Sequence, residues 1–427
     1  MFFKRPFPKR VNYYKIPLVD LSVMPPNTPE ELKYLYNYTI VDDHAGYLGH
    51  PDSVLLNNGD ILTFYPKGHG KGAIISKISD NGGISYDKTI ENQPVSWEKS
   101  LETPTVYRLQ FRSGDEKLIL ISANSKWPEM STPGGFNSSV SLDEGKTWTE
   151  FRRFWDNDSE MPLIPIVAMA SLTRLKENGE FVDKWMGIFH DNQFINYKSI
   201  LTFDENGEYN WSKPEPYLAQ YRDIEIYSGI CEVECIRSDG GKGDELCLLA
   251  RCNKKRNTSL LFFSQDEGKT WSKPIEAPVT LNGERHKAEY TDDGRLFITF
   301  RSIERNRKMV KKMRKDGGMQ TWYSEGWVAW IGTYDDLKKG TEGQYRIKIA
   351  HTYLDHQKEP SLSANADTGY CGNVVLNDGT IVTSSYGIFS PEEKDKGKYD
   401  TDKGKQKRKT FIVSKRIKLS DVEKLIK

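Results

Sequence analysis

Two arginines stand where a strand would not carry them without a reason. Arg251 closes the apolar run Leu248-Leu249-Ala250, and Arg301 closes Ile298-Thr299-Phe300. A charge ending a buried run is costly unless it is paired. A guanidinium fork fits a carboxylate or phosphate in bidentate fashion, so converging arginines point to anion binding. A structural ion pair with a neighbouring Glu is the plainer alternative. Other ionisable groups open strand-like runs, which normally avoid them. His50 and Asp52 precede the hairpin Asn58-Gly59, and Glu232 precedes Asp239-Gly240. Arg285 and Lys287 precede Asp293-Gly294, Tyr370 precedes Asp378-Gly379, and Glu102 lies in Ser100-Leu101-Glu102-Thr103. The loop Tyr65-Pro66-Lys67-Gly68-His69-Gly70-Lys71-Gly72 sets Lys67, His69 and Lys71 among glycines and could grip an anion. Its spacing is not that of a phosphate loop, so nucleotide binding is not expected. His190 and Asp191 end another strand-like run and either reach the same rim or cap the run. The seven histidines lack ligand spacing, so neither a catalytic metal nor another cofactor is expected.

A repeat supplies the elements that would gather these residues. Ser141-Leu142-Asp143-Glu144-Gly145-Lys146-Thr147-Trp148 returns as Ser264-Gln265-Asp266-Glu267-Gly268-Lys269-Thr270-Trp271. Weaker copies begin at Ser79, where Asn81 replaces the Asp, and at Thr202, so the step is about 60 residues. Each residue type has a task. Asp accepts hydrogen bonds from nearby backbone N–H groups, Gly supplies a positive φ, and Trp is an apolar anchor with a polar edge. Such a unit closes a β-hairpin. Continuing the beat points to Thr333-Tyr334-Asp335-Asp336 and Phe411-Ile412-Val413-Ser414, which are not copies. The steps there are stretched by the basic run 305–315 and by the charged segment 391–409.

Six units of four short strands account for the 427 residues as one domain. The expected fold is all-β, a six-bladed β-propeller of four-stranded antiparallel blades with Asp-box hairpins. Residues 1–40 are a lead-in and closing strand that completes the last blade. Ser420-Asp421-Val422-Glu423 has a capping-box pattern and opens a short helix over 420–427. In a propeller the innermost strand of each blade lines the central channel, so the strand openings would face one another. The net charge of +1 argues against a nucleic-acid partner, and no apolar run is long enough for a membrane partner. Five cysteines are an odd number and read as buried thiols in a reducing, cytoplasmic setting, with a secreted mature form as the alternative.

The Asp-bearing hairpin resembles the Asp-box of the sialidase (neuraminidase) superfamily, a family of six-bladed propellers, over nearly the whole chain. The resemblance gives Asp143 and Asp266 a structural role on the face away from the active site. It implies a retaining exo-glycosidase in which a Tyr nucleophile is activated by a Glu, with an Asp acid/base and three arginines on the sugar carboxylate. Glu232, leading through Val233-Glu234-Cys235-Ile236 to Leu248-Leu249-Ala250-Arg251, is similar to the Glu strand and second arginine. Tyr370 is similar to the nucleophile, and either Arg285 or Arg301 to a third arginine. The chain departs from the family at Gly49-His50-Pro51, where sialidases carry Arg-Ile-Pro. The acid/base Asp would fall in the loop around His69, which has no carboxylate at its centre, leaving Asp52 or His69 to supply the proton. The implied function is an exo-acting hydrolase of a terminal acidic sugar, a sialic acid or a related ulosonic or uronic acid. The anionic carbohydrate would be held by Arg251, Arg285 and Arg301, with His50, Lys67, Lys71, Glu102, Lys287, His190 and Asp191 around it. The alternative is a non-catalytic carbohydrate-binding propeller.

Overall fold

The computed structural model describes residues 14–44, 46–68, 72–101, 103–124, 131–221, 229–253, 259–304, 323–352, 367–389 and 410–426. The expected architecture is present: six antiparallel sheets form the blades of a β-propeller. Blade one holds Asp52–Leu55, Ile61–Pro66 and Ile74–Ser79, with the bridge between Ile78 and Lys88 in the outermost position. Blade two runs from Thr105–Gln110 through Glu116–Ala123 and Phe136–Ser141 to Arg152–Phe154. Blade three opens with Pro165–Glu177, blade four with Ile230–Arg237, blade five with Gly283–Tyr290 and blade six with Gly372–Val375. These innermost strands touch one another in a closed order, blade six meeting blade one.

Two N-terminal strands lock the ring. Thr39–Asp42 pairs antiparallel with Phe411–Ile417 as the outer strand of blade six. Leu18–Asp20 adds a further, parallel strand to the outer edge of blade five. Faces between blades are filled by large apolar side chains. Phe64, Trp97 and Trp148 pack edge to face between blades one and two, and Phe136, Trp185 and Trp211 between blades two and three.

The repeated hairpin joins the third and fourth strands, and its two full copies are superimposable in their bonding. Asp143 accepts from Thr147 N at 2.9 Å and Thr147 Oγ1 at 2.6 Å, and Asp266 accepts from Thr270 at the same two distances. Glu144 and Gly145, like Glu267 and Gly268, take left-handed backbone conformations. The second acidic residue of the motif has its own task. Glu144 is forked by Arg108, from the innermost strand of its own blade, and accepts Asn57 N from blade one. Glu267 is forked by Arg237 and accepts Lys176 N from blade three. The motif therefore staples neighbouring blades as well as closing a turn.

Thr333 carries no copy of the motif. It caps the helix Tyr334–Lys339, exchanging hydrogen bonds with Asp336. The helix Leu419–Glu423 starts after Lys418 without a side-chain cap, and Asp421 accepts instead from the Tyr34 hydroxyl and Lys424. Runs 305–315 and 391–409 lie outside the described residues.

Lys415 is buried on the third strand of blade six, donating to the carbonyls of Leu21 at 2.8 Å and Ile349 at 2.6 Å. It thus ties the lead-in segment and blade five to blade six. Burial pushes its ammonium down to about 7 from an ordinary 10.5. The unfolded chain holds this proton between those values while the folded chain has released it, so stability should rise with pH across that window. Lys415→Met should lose this rise in denaturant unfolding measured from pH 7 to 10. An unchanged slope would show that the ammonium is not desolvated.

Candidate active site

The innermost strands reach the channel mouth through an unusual backbone. His50, Met169, Glu232 and Arg285 all have φ between 47° and 53°, and Gly369 has φ 81°. In blades three, four and five the left-handed residue sits where the pairing with the second strand shifts, which marks a bulge. Left-handed conformations of non-glycine residues cost of order 1 kcal/mol or more and persist only where surroundings enforce them. At His50 and Glu232 their effect is to turn the side chain to Tyr370, while Met169 packs into the apolar cluster between blades two and three. At Gly369 an added Cβ would lie 2.7 Å from the Arg301 backbone, so close approach demands glycine there.

Tyr370 and Glu232, 138 residues apart, meet across the channel mouth. The phenol donates to Glu232 Oε1 at 2.7 Å. Arg251 Nη1 donates to Glu232 Oε2 at 2.7 Å and to the Tyr370 oxygen at 2.8 Å. Arg301 lies over the Tyr370 ring, 4.5 Å from its centroid, and the His50 ring lies 4.8 Å from it. Glu284 bridges the two arginines, 3.2 Å from Arg251 Nη2 and 3.1 Å from Arg301 Nη1. Arg301 also donates to Tyr386 at 2.9 Å, and Tyr386 and Tyr47 both donate to Asp367. His50 is held by Thr103 Oγ1 at 3.1 Å from its Nδ1 and stacks edge to face on Tyr386.

The electrostatics follow from burial and pairing. Burial alone would raise Glu232, but the Arg251 charge and the hydrogen bonds from Tyr370 and Arg251 bring it down to about 2. Burial and the Glu232 charge push the Tyr370 phenol well above its ordinary range. The resting pair is a neutral phenol on a carboxylate. A phenol so placed can attack an electrophilic carbon only as its proton passes to Glu232, with Arg251 and Arg301 stabilising the developing phenolate.

A second layer lies two residues further along the inner strands. Lys287 Nζ is 3.3 Å from Asp52 Oδ1 and 5.0 Å from the Tyr107 ring centroid. Asp52 also accepts Val106 N at 3.0 Å and Ser53 N at 3.1 Å. Asp52, expected as a proton source, has both oxygens engaged in this layer. Glu234, beside it, is raised by burial to about 7. His190 reaches the first layer electrostatically, near Glu232, Arg251 and Arg285, while Asp191 caps its own turn through Gln193 N and Ile195 N. Arg285 is buried and donates to Ala170 O at 3.3 Å. Lys67 is exposed on its loop. His69, Lys71 and Glu102 lie outside the described residues. Glu284, Tyr386, Asp367 and Tyr47 escaped the sequence reading. Glu284 adjoins Arg285, and adjacent residues of a regular strand face opposite ways. The bulge at Arg285 removes that alternation, and no residue type announces it.

Glu232→Gln should leave Arg251 short of a partner and cost about 3 kcal/mol in denaturant unfolding at neutral pH. Because the folded carboxyl titrates near 2 rather than 4.5, the gap to the parent should hold above the higher value and close as pH falls towards the lower. A pH-independent gap would assign the loss to packing.

No family model matches the chain, and no curated protein matches it in sequence. Solved structures match its fold. A GH93 α-L-arabinofuranosidase of Fusarium graminearum, in complex with arabinobiose, aligns with TM-score 0.55 at 12% identity, over 90% of this chain and 98% of that one. The NanB sialidase of Streptococcus pneumoniae aligns with TM-score 0.54 at 9% identity, over 90% of this chain and 71% of that one. A protein of unknown function from Dyadobacter fermentans aligns with TM-score 0.54 at 14% identity, over 88% and 97%. The fold around the Tyr370–Glu232 pair is thus the propeller on which arabinofuranosidases and sialidases are built.

Proposed function

We propose that the chain is a retaining, exo-acting glycoside hydrolase. The observation that carries this reading is the 2.7 Å hydrogen bond from Tyr370 to Glu232, with Arg251 on both partners. Tyr370 is the nucleophile: as its oxygen bonds to the anomeric carbon, its proton passes to Glu232, the glycosidic C–O bond breaks and the aglycone leaves, taking a proton from solvent. Water then attacks the same carbon and gives up a proton to solvent, the tyrosyl–carbon bond breaks, and Tyr370 recovers its proton from Glu232, so the sugar is released with its anomeric configuration retained. A purely binding site has no use for a buried carboxylate on a buried phenol. The glycosidases that share the fold support the same class.

An acidic terminal sugar, such as a sialic acid or a related ulosonic or uronic acid, would draw on the guanidinium groups of Arg251, Arg285 and Arg301. A second reading, an uncharged terminal sugar, is favoured by Glu284, whose carboxylate already lies between two of those arginines. A panel of aryl glycosides of acidic and neutral sugars, assayed for released aglycone, separates the two.

Tyr370→Phe should lower kcat by about a thousandfold or more on whichever glycoside is cleaved, with the fold intact. NMR of the first-formed product should show the substrate's own anomer. Full turnover by Tyr370→Phe would dismiss the nucleophile, and an inverted product would dismiss retention. Sugar binding without cleavage by the parent protein would instead establish a recognition propeller.

A further inference from the structure

The polar groups at the channel mouth divide into those already engaged and those still open. Arg251 uses its two terminal nitrogens on Glu232, Tyr370, Glu284 and Asn253. Arg301 donates to Thr368 O, Glu284 and Tyr386. The Glu284 oxygens are shared one to each arginine, at 3.2 and 3.1 Å. That is the geometry in which a bound carboxylate would take one nitrogen from each guanidinium. Glu284 is 4% exposed and lies on a strand of the channel wall rather than on a loop. Among the described residues Asp367 adds a further carboxylate beside this fork, 3.7 Å from Arg301.

Two neighbouring groups are not consumed in this way. Among the described residues Arg285 makes a single hydrogen bond, to Ala170 O, from a guanidinium that carries five donors. His190 is 4% exposed, and its Nδ1 has no partner among the described residues. Burial lowers this imidazole to about 4, so at neutral pH it is uncharged and can pair with a hydroxyl. A buried polar atom without a partner is uncommon and marks a place where a ligand atom would be satisfied.

We propose that Glu284 is a built-in ligand of the Arg251–Arg301 fork, so that the site selects a terminal sugar uncharged at that position, with Arg285 and His190 supplying its open polar contacts. The proposal rests on the glycoside hydrolase reading for the word sugar, and on the fork geometry for the rest. A substrate carboxylate entering the fork would have to displace, or lie against, a carboxylate already tethered there. Glu284 acts here as a specificity-determining residue and takes no part in the bond-breaking step.

The test separates the two levels. Saturation-transfer NMR with acetate and with acetamide reads the fork directly, without turnover. The parent protein should bind acetate no better than acetamide. Glu284→Gln, which keeps the side-chain volume and vacates the charge, should bind acetate at least tenfold more tightly than the parent. The double variant Glu284→Gln with Arg301→Met should fall back to the parent level, which removes surface lysine sites from the account. A parent protein that already prefers acetate tenfold, or a folded Glu284→Gln that gains no acetate affinity, overturns the proposal. The parent measurement decides alone if the variant does not fold. In the aryl glycoside panel the parent should release aglycone from neutral sugars at least tenfold faster than from matched uronic or sialic acids, and the reverse order also overturns it. Silence from every glycoside, with the acetate result intact, would count against the hydrolase reading and leave the occupied fork standing.

Discussion

Charge that is buried must be paired, and the mouth of the channel is organised around that demand. Among the described residues the Arg251, Arg285 and Arg301 guanidinium groups and the Glu232 and Glu284 carboxylates meet there, all of them largely buried. Removing a carboxylate exposes an arginine to an apolar surround, and removing an arginine strands a carboxylate. Each member therefore supports the burial of the others. This explains why Tyr370 stays a neutral phenol, why Glu232 stays ionised, and why Arg251 contacts both. It also explains the cost of the arrangement, since each ion surrenders its hydration and recovers it only through geometry.

That geometry comes from the backbone. Regular strands would send alternate side chains away from the channel and crowd the rest too deep. A left-handed residue at the mouth of the inner strand interrupts the alternation and turns the chain inward. His50, Glu232 and Arg285 accept strain to do this, and Gly369 does it where no side chain would fit. The strain is tolerated because the rest of each blade is held rigidly. Apolar faces are packed between blades, and Glu144 and Glu267 staple each hairpin to the blade before it. Stability on the hairpin face and reactivity on the channel face are thus coupled through the stiffness of the sheets.

Much of this was legible beforehand, for identifiable reasons. The hairpin motif is local: Ser, Asp, Gly and Thr within eight residues bond to one another, so spacing along the chain is spacing in space. The repeat step then leads to six blades and places Tyr370 and Glu232 on inner strands. Arg251 and Arg301 were visible because a charge after an apolar run contradicts its surroundings. Glu284, Tyr386 and Asp367 were not visible. Their neighbours lie 17 to 320 residues away, in other strands or other blades, and nothing local distinguishes them. Asp52 was read as a proton source, and its partner was not legible, because Lys287 reaches it from blade five only once the ring of blades has closed.

By itself the sequence determined the repeated unit, the all-β architecture, the hairpin chemistry and the presence of ionisable residues on the inner strands. These follow from short-range bonding and from the period of the chain. The tertiary structure alone decided which charge answers which. It set Tyr370 on Glu232, laid Glu284 between two arginines, and left Arg285 and His190 with polar atoms to spare. The reason is physical: hydrogen bonds fall off within a few tenths of an ångström, and positions that fine depend on bulges and ring closure rather than on residue type.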